Sequence, residues 1–75
     1  ARQIQVTKVE KGSPADSVLE VGDVIIGVQG KPFDADARIL FGKAVTEAEK
    51  EENHGALHLV RWQKGEIRNV VVKLQ

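Results

Sequence analysis

The stretch KGSPADSVLEVGDVIIGVQGKPF, Lys11 to Phe33, holds four of the chain's seven glycines and both of its prolines. Glycine and proline interrupt regular structure, so this region can hold only short elements joined by tight turns. Between the breaks lies one apolar run, Val24 to Val28, too short for a helix and rich in β-branched residues. It reads as a strand buried on both faces. Upstream, Ser13-Pro14-Ala15-Asp16 has the form of a helix start. Serine suits the cap, proline the first helical position, and Asp16 the place of a capping-box acid. Gly22 limits that helix to a turn or two.

The flanks supply the rest of the fold. Ile4 and Val6 alternate with polar residues and lead to Val9, the pattern of a half-buried strand ending at Lys11-Gly12. Asp34 or Asp36 can cap a helix running to about Glu52. Its residues Ala37, Leu40, Phe41, Ala44, Val45 and Ala48 recur at three- and four-residue steps on one face. Asn53 and Gly55 supply the stop. In ALHLVRWQKGEIRNVVVKLQ, Leu57 and Leu59 alternate before QKGE and Val70, Val72 and Leu74 after it, which makes a hairpin. The expected core is Val6, Val9, Leu19, Val24, Ile25, Val28, Leu40, Phe41, Ala44, Leu57, Leu59, Val70 and Val72.

Seventy-five residues make a single domain, 1–75, and the chain begins in mid-pattern, which suggests a fragment of a larger protein. Eleven basic residues balance eleven acidic ones, so the basic surplus of a nucleic-acid binder is missing. No apolar run approaches the ~20 residues that span a bilayer. The opening ARQIQVTK has no signal-peptide core. Without cysteine, neither disulfides nor thiolate metal sites are open to the chain.

Candidate chemistry gives way to structural roles. EAEKEEN lacks the oxygen spacing of a calcium loop and reads as a solvated face, with Glu47 able to pair with Lys43 or Lys50. His54 and His58 have the spacing of a helical metal pair but straddle Gly55, and His58 falls in a strand, so no metal or cofactor is expected. Ser13 has no nearby base and is assigned to capping. Asp23, at the entrance to the buried strand, is assigned to bonding turn amides. Trp62, beside the hairpin turn, is assigned to local packing. No nucleophile, base and oxyanion hole assemble, and the chain is expected not to be an enzyme.

Taken in order, these residues resemble a PDZ domain, in particular the bacterial type of HtrA-like and processing proteases. The matching features are the strand Val6 to Val9, the GSPA start at Gly12 to Ala15, and the L-x-x-GD-V-I entry at Leu19 to Ile25. The V-x-G turn at Val28 to Gly30, the long helix Asp36 to Glu52 and the closing hairpin at Val60 to Gly65 complete the pattern. The resemblance covers nearly the whole chain. It implies an α+β fold: a small, partly open β-barrel or sandwich of mostly antiparallel strands with one short and one long helix. It also implies a protein-interaction module that takes a peptide or C-terminus as an added strand beside the long helix. Periplasmic or secreted location is favoured by the same resemblance.

The family's Gly-Leu-Gly-Phe-like loop, which holds the peptide carboxylate, and the groove strand after it precede the segment matching Ile4 to Val9. This chain starts at Ala1, directly before that segment, so both are expected to be missing. What carries over is the helix wall of the groove, assigned to Ala37, Leu40, Phe41 and Ala44. The alternative is a degenerate PDZ-like structural domain that positions or regulates neighbouring domains, an attached protease among them, without binding peptide. TEAEKEEN reads as an extension of the family's helix. Partners are therefore a peptide or protein C-terminus, or neighbouring domains. Weak self-association is expected through an exposed edge at Ile4 to Lys8, or through donation of VVVKLQ to a neighbour.

Overall fold

A computed structural model describes residues 1–74. Its elements are β1 (Ile4–Gln5), β2 (Val24–Val28), β3 (Lys31–Pro32), α1 (Ala37–Ala48), the 3-10 turn Glu51–Asn53, β4 (Ala56–Gln63) and β5 (Glu66–Lys73). The strands form one open antiparallel sheet in the order β1-β2-β4-β5, with β3 paired to β2. The expected α+β, PDZ-like architecture is what the chain adopts.

Two-residue turns set the registers. Gln29 and Gly30, with φ of 55° and 76°, connect β2 to β3, and Lys64 and Gly65, with φ of 49° and 83°, connect β4 to β5. Successive left-handed residues match the twist of the strands they join, and glycine takes the second position without a steric cost. Gly27 serves a different need. Its Cα faces the β3 backbone so closely that an added Cβ would lie 2.7 Å from the Lys31 carbonyl carbon and 2.8 Å from the Pro32 Cα. The register of β2 on β4 slips at Ile25/Gly27, a bulge that bends the central strand.

The helix is shorter than its sequence pattern. Asp36 caps it by accepting the Arg38 N–H at 2.9 Å, and regular structure ends at Ala48 rather than near Glu52. Beyond that point the loop folds back. The Asn53 side chain donates to the Glu47 carbonyl at 2.7 Å, and the Gly55 N–H to the Ala48 carbonyl at 2.8 Å. Those are the carbonyls that Glu51 and Glu52 would bond in a longer helix.

The short helix after Pro14 is a succession of turns. Asp16 N–H bonds the Ser13 carbonyl, and the Val18 and Leu19 N–H groups both bond the Ala15 carbonyl. Only the last of these is an α-type bond, and a segment confined between Pro14 and Gly22 has too few residues to offset nucleation. Asp16 does reach back, but to the Gly12 N–H at 2.9 Å, while the Ser13 hydroxyl donates to the Glu10 carbonyl at 2.6 Å. Ser13 is thus held by the turn without capping it.

The core lies between α1 and the sheet. Ile25, Phe33, Ala37, Ala44, Ala48, Leu57, Leu59 and Val72 form its buried centre, with Ile4, Val6, Leu19, Val28, Leu40, Phe41, Val45, Val70 and Leu74 packed around it. Val9 and Val24, expected in the core, lie outside this cluster. Val24 pairs with Trp62 on β4 and projects to the other face of the sheet, because the period of two puts it opposite Ile25. Among the described residues, Asp23 is the buried polar one. Its Oδ2 accepts the Glu20 N–H at 2.9 Å and its Oδ1 the Gln63 amide at 3.0 Å, which ties the entrance of β2 to the end of β4.

Candidate functional site

The helix and the turns after Gly12 approach the sheet from two sides, and a cleft remains between them. Ser13, Pro14, Ala15 and Leu19 form one bank and Phe41 and Val45 the other, with Leu57, Leu59, Val72 and Leu74 as the floor. Its volume is about 210 Å³, and its lining is almost wholly apolar. The cleft follows from local sequence. Pro14 and Gly12 turn the chain away from the sheet, while the four-residue step from Phe41 to Val45 presents two large side chains along one edge of α1. Neither is buried as deeply as the alanines beside them.

The four helix residues singled out from the sequence separate into three environments. Phe41 lines this cleft. Ala37 and Ala44 are buried in the core. Leu40 turns to the opposite flank of α1, where it meets Val28, Gln29, Lys43 and Glu47 in a second depression that Ala44 also touches. Val45 was read from the sequence as part of the apolar face, and the structure puts it beside Phe41. Periodicity identified the face; it carries no information about which neighbour each flank meets.

The ends of α1 are fixed by charge and hydrogen bonds. The Asp36 carboxyl lies below its ordinary range, first because the Arg38 backbone N–H donates to it. At its N-terminus the Ala37 N–H donates to the Ala1 carbonyl at 2.8 Å, so the chain entering β1 passes beside the start of the helix. The Glu47 carboxyl is also lowered, first by the hydrogen bond from Lys50, with which it makes an ion pair at 2.9 Å. Both groups are exposed, and neither faces the apolar cleft. His54 adopts a left-handed conformation at the end of the 3-10 turn, and His58 is exposed on β4. Among the described residues no group of three or more His, Asp or Glu side chains is placed to hold a metal ion.

The site is thus an apolar cleft between α1 and the turns after Gly12, with residues of β4 and β5 in its floor. The family model of the PDZ domain matches residues 1–52, more than half of the sequence, and the chain belongs to the PDZ domain family. PDZ domains are protein-interaction modules. The match includes β1, the turns after Gly12, β2, β3 and α1, which supply both banks of the cleft, and stops before the β4-β5 hairpin. No curated protein and no solved structure matches the chain.

Proposed function

We propose that this domain binds a peptide or protein C-terminus by strand addition beside α1, in the manner of the bacterial PDZ domains of HtrA-like and processing proteases. The carboxylate-binding loop and groove strand have no counterpart within residues 1–75, and in this reading they belong to a larger protein of which the chain is a part. The wall supplied here is α1. Of its four sequence-assigned residues, Phe41 takes the central place, with Val45 beside it, while Ala37 and Ala44 hold the helix against the sheet and Leu40 supports its far flank.

The observation that carries this reading is the nature of the cleft: apolar lining from Pro14 to Phe41 and, among the described residues, no titratable side chain along it. Such a surface favours an aliphatic or aromatic side chain over a charged one, because burial of apolar area is the available driving force. The resemblance to secreted and periplasmic proteases makes an extracytoplasmic location part of the same proposal.

Titration with apolar C-terminal peptides, followed by calorimetry, tests it. Saturable binding that Phe41→Asp abolishes and Leu40→Asp reduces much less is the expected outcome, with circular dichroism verifying that both variants fold. A longer form of the chain that includes upstream residues and still binds no peptide would instead support a domain that only positions or regulates its neighbours.

A further inference from the structure

The outer face of the sheet, opposite α1, carries an apolar patch that the peptide cleft does not use. Trp62 is 39% exposed, Ile67 63% and Val71 41%. Trp62 lies directly across from Ile67 on one side and Val24 on the other, and Ile26 and Gln3 complete the depression they share. The patch runs to the rim of the sheet, since β5 is its last strand. The two edges differ. β1 is two residues long, and short edges are poor templates. β5 is eight residues long, contains no proline, and pairs with β4 without a break in register.

We propose that β5 is a homodimerisation edge, on which a second copy of this chain adds its own β5 antiparallel to continue the sheet. The inference goes beyond peptide binding and does not depend on it. The register follows from the hairpin. A two-residue turn makes Gln63 and Glu66 the first hydrogen-bonded pair, so the backbone groups of alternate residues Ile67, Asn69, Val71 and Lys73 point away from β4. A two-fold axis normal to the sheet must relate residues on the same face. Centred on Asn69, it sets Ile67 opposite Val71 of the second copy and Val71 opposite its Ile67. About six backbone hydrogen bonds close across that seam, one pair for each of three facing positions.

This register matches the surface. The two exposed apolar side chains of β5 on that face, Ile67 and Val71, cover each other twice, and the patch around Trp62 continues into that of the second copy. On the other face Arg68 stands opposite Val70, and each Arg68 keeps its own Glu66 at 3.1 Å, which moderates repulsion between the two guanidinium groups. A shift of the axis by one residue to Val70 places Lys73 opposite Ile67 and loses this match.

Sedimentation of the 75-residue chain tests the association, and engineered cysteines test the register. A concentration-dependent dimer is expected, weakened at least about tenfold by Ile67→Lys, which buries a charge in the seam. Asn69→Pro, which removes an outward N–H without touching a β4 bond, should have a similar effect. Circular dichroism verifies the fold of each variant. Asn69→Cys should oxidise to a covalent dimer, because facing residues of a hydrogen-bonded pair lie about 5.5 Å apart at Cα, within disulfide range. Val71→Cys, offset from its symmetry mate by four residues, should not. The cysteine pair reads the register even if one of the other variants unfolds. A chain that stays monomeric up to about 1 mM overturns the proposal. So does a dimer in which Val71→Cys links as readily as Asn69→Cys.

Discussion

Replacing Gly27 by alanine adds one methyl group where the structure has no room for it. The new Cβ would sit 2.7 Å from the Lys31 carbonyl carbon and 2.8 Å from the Pro32 Cα, with the Lys31 carbonyl oxygen closer still. All three are backbone atoms of β3, so no side chain can rotate out of the way. Gly27 pairs with Pro32 on one side and Val60 on the other, and moving β3 would break its register with β2. Overpacking of this kind costs about 2–3 kcal/mol. A domain of this size has roughly 4–11 kcal/mol of stability in all. The melting temperature should therefore fall by roughly 10–20 °C. Gly42→Ala is the matched control. Gly42 lies in the exposed middle of α1 with nothing within 4 Å of an added Cβ. There the same methyl group should stabilise by about 0.5–1 kcal/mol, by lowering the entropy lost on helix formation. Thermal unfolding followed by circular dichroism measures both. A Gly27→Ala protein melting within about 3 °C of the wild type, less than 1 kcal/mol, would refute the steric argument. So would a Gly42→Ala protein destabilised as much as Gly27→Ala.

Asp23→Ala should cost about 1–3 kcal/mol in urea unfolding, since it leaves the Glu20 N–H without its carboxylate acceptor and the Gln63 amide with only its bond to the Glu20 carboxylate. Acid should also destabilise the fold through α1. The carboxyls of Asp36 and Glu47 titrate below their ordinary values of 3.8 and 4.5, so their contribution is complete above those values and is lost as the pH falls through the lower folded ones. Asp36→Asn keeps a competent cap but cannot ionise. Its melting temperature should match the wild type near neutrality and fall less steeply on acidification; an unchanged acid limb would count against the Asp36 contribution.

The sequence by itself determined the elements whose signals are local. The hairpin around Lys64-Gly65, a helix cap at Asp34 or Asp36, the strand Val24–Val28 and the turn role of Asp23 depend on residues within a few positions of one another, whereas the choice of Asp36 and the burial of only one face of that strand do not. The order of these elements was enough to show the PDZ resemblance. What required the tertiary structure was every outcome set by a distant partner. Ser13–Val18 carries good helix-start residues, yet only turns form, because the side chain of Asp16 is taken by Gly12 and Gly22 leaves no length for propagation. The pattern of α1 continues past Ala48, but Asn53 and Gly55 return to claim its last carbonyls. Gly27 lies within the run read as a single strand, and its need for a bare Cα exists only because β3 folds across it. The same holds for the candidate site. Three- and four-residue spacing placed Ala37, Leu40, Phe41, Ala44 and Val45 on one apolar face, and that face is wider than one contact. Where the sheet meets its middle, small alanines are buried; the two flanks face different depressions. Helical periodicity fixes angles about an axis, whereas the rotation of that axis against β2 and β4 is fixed by long-range packing.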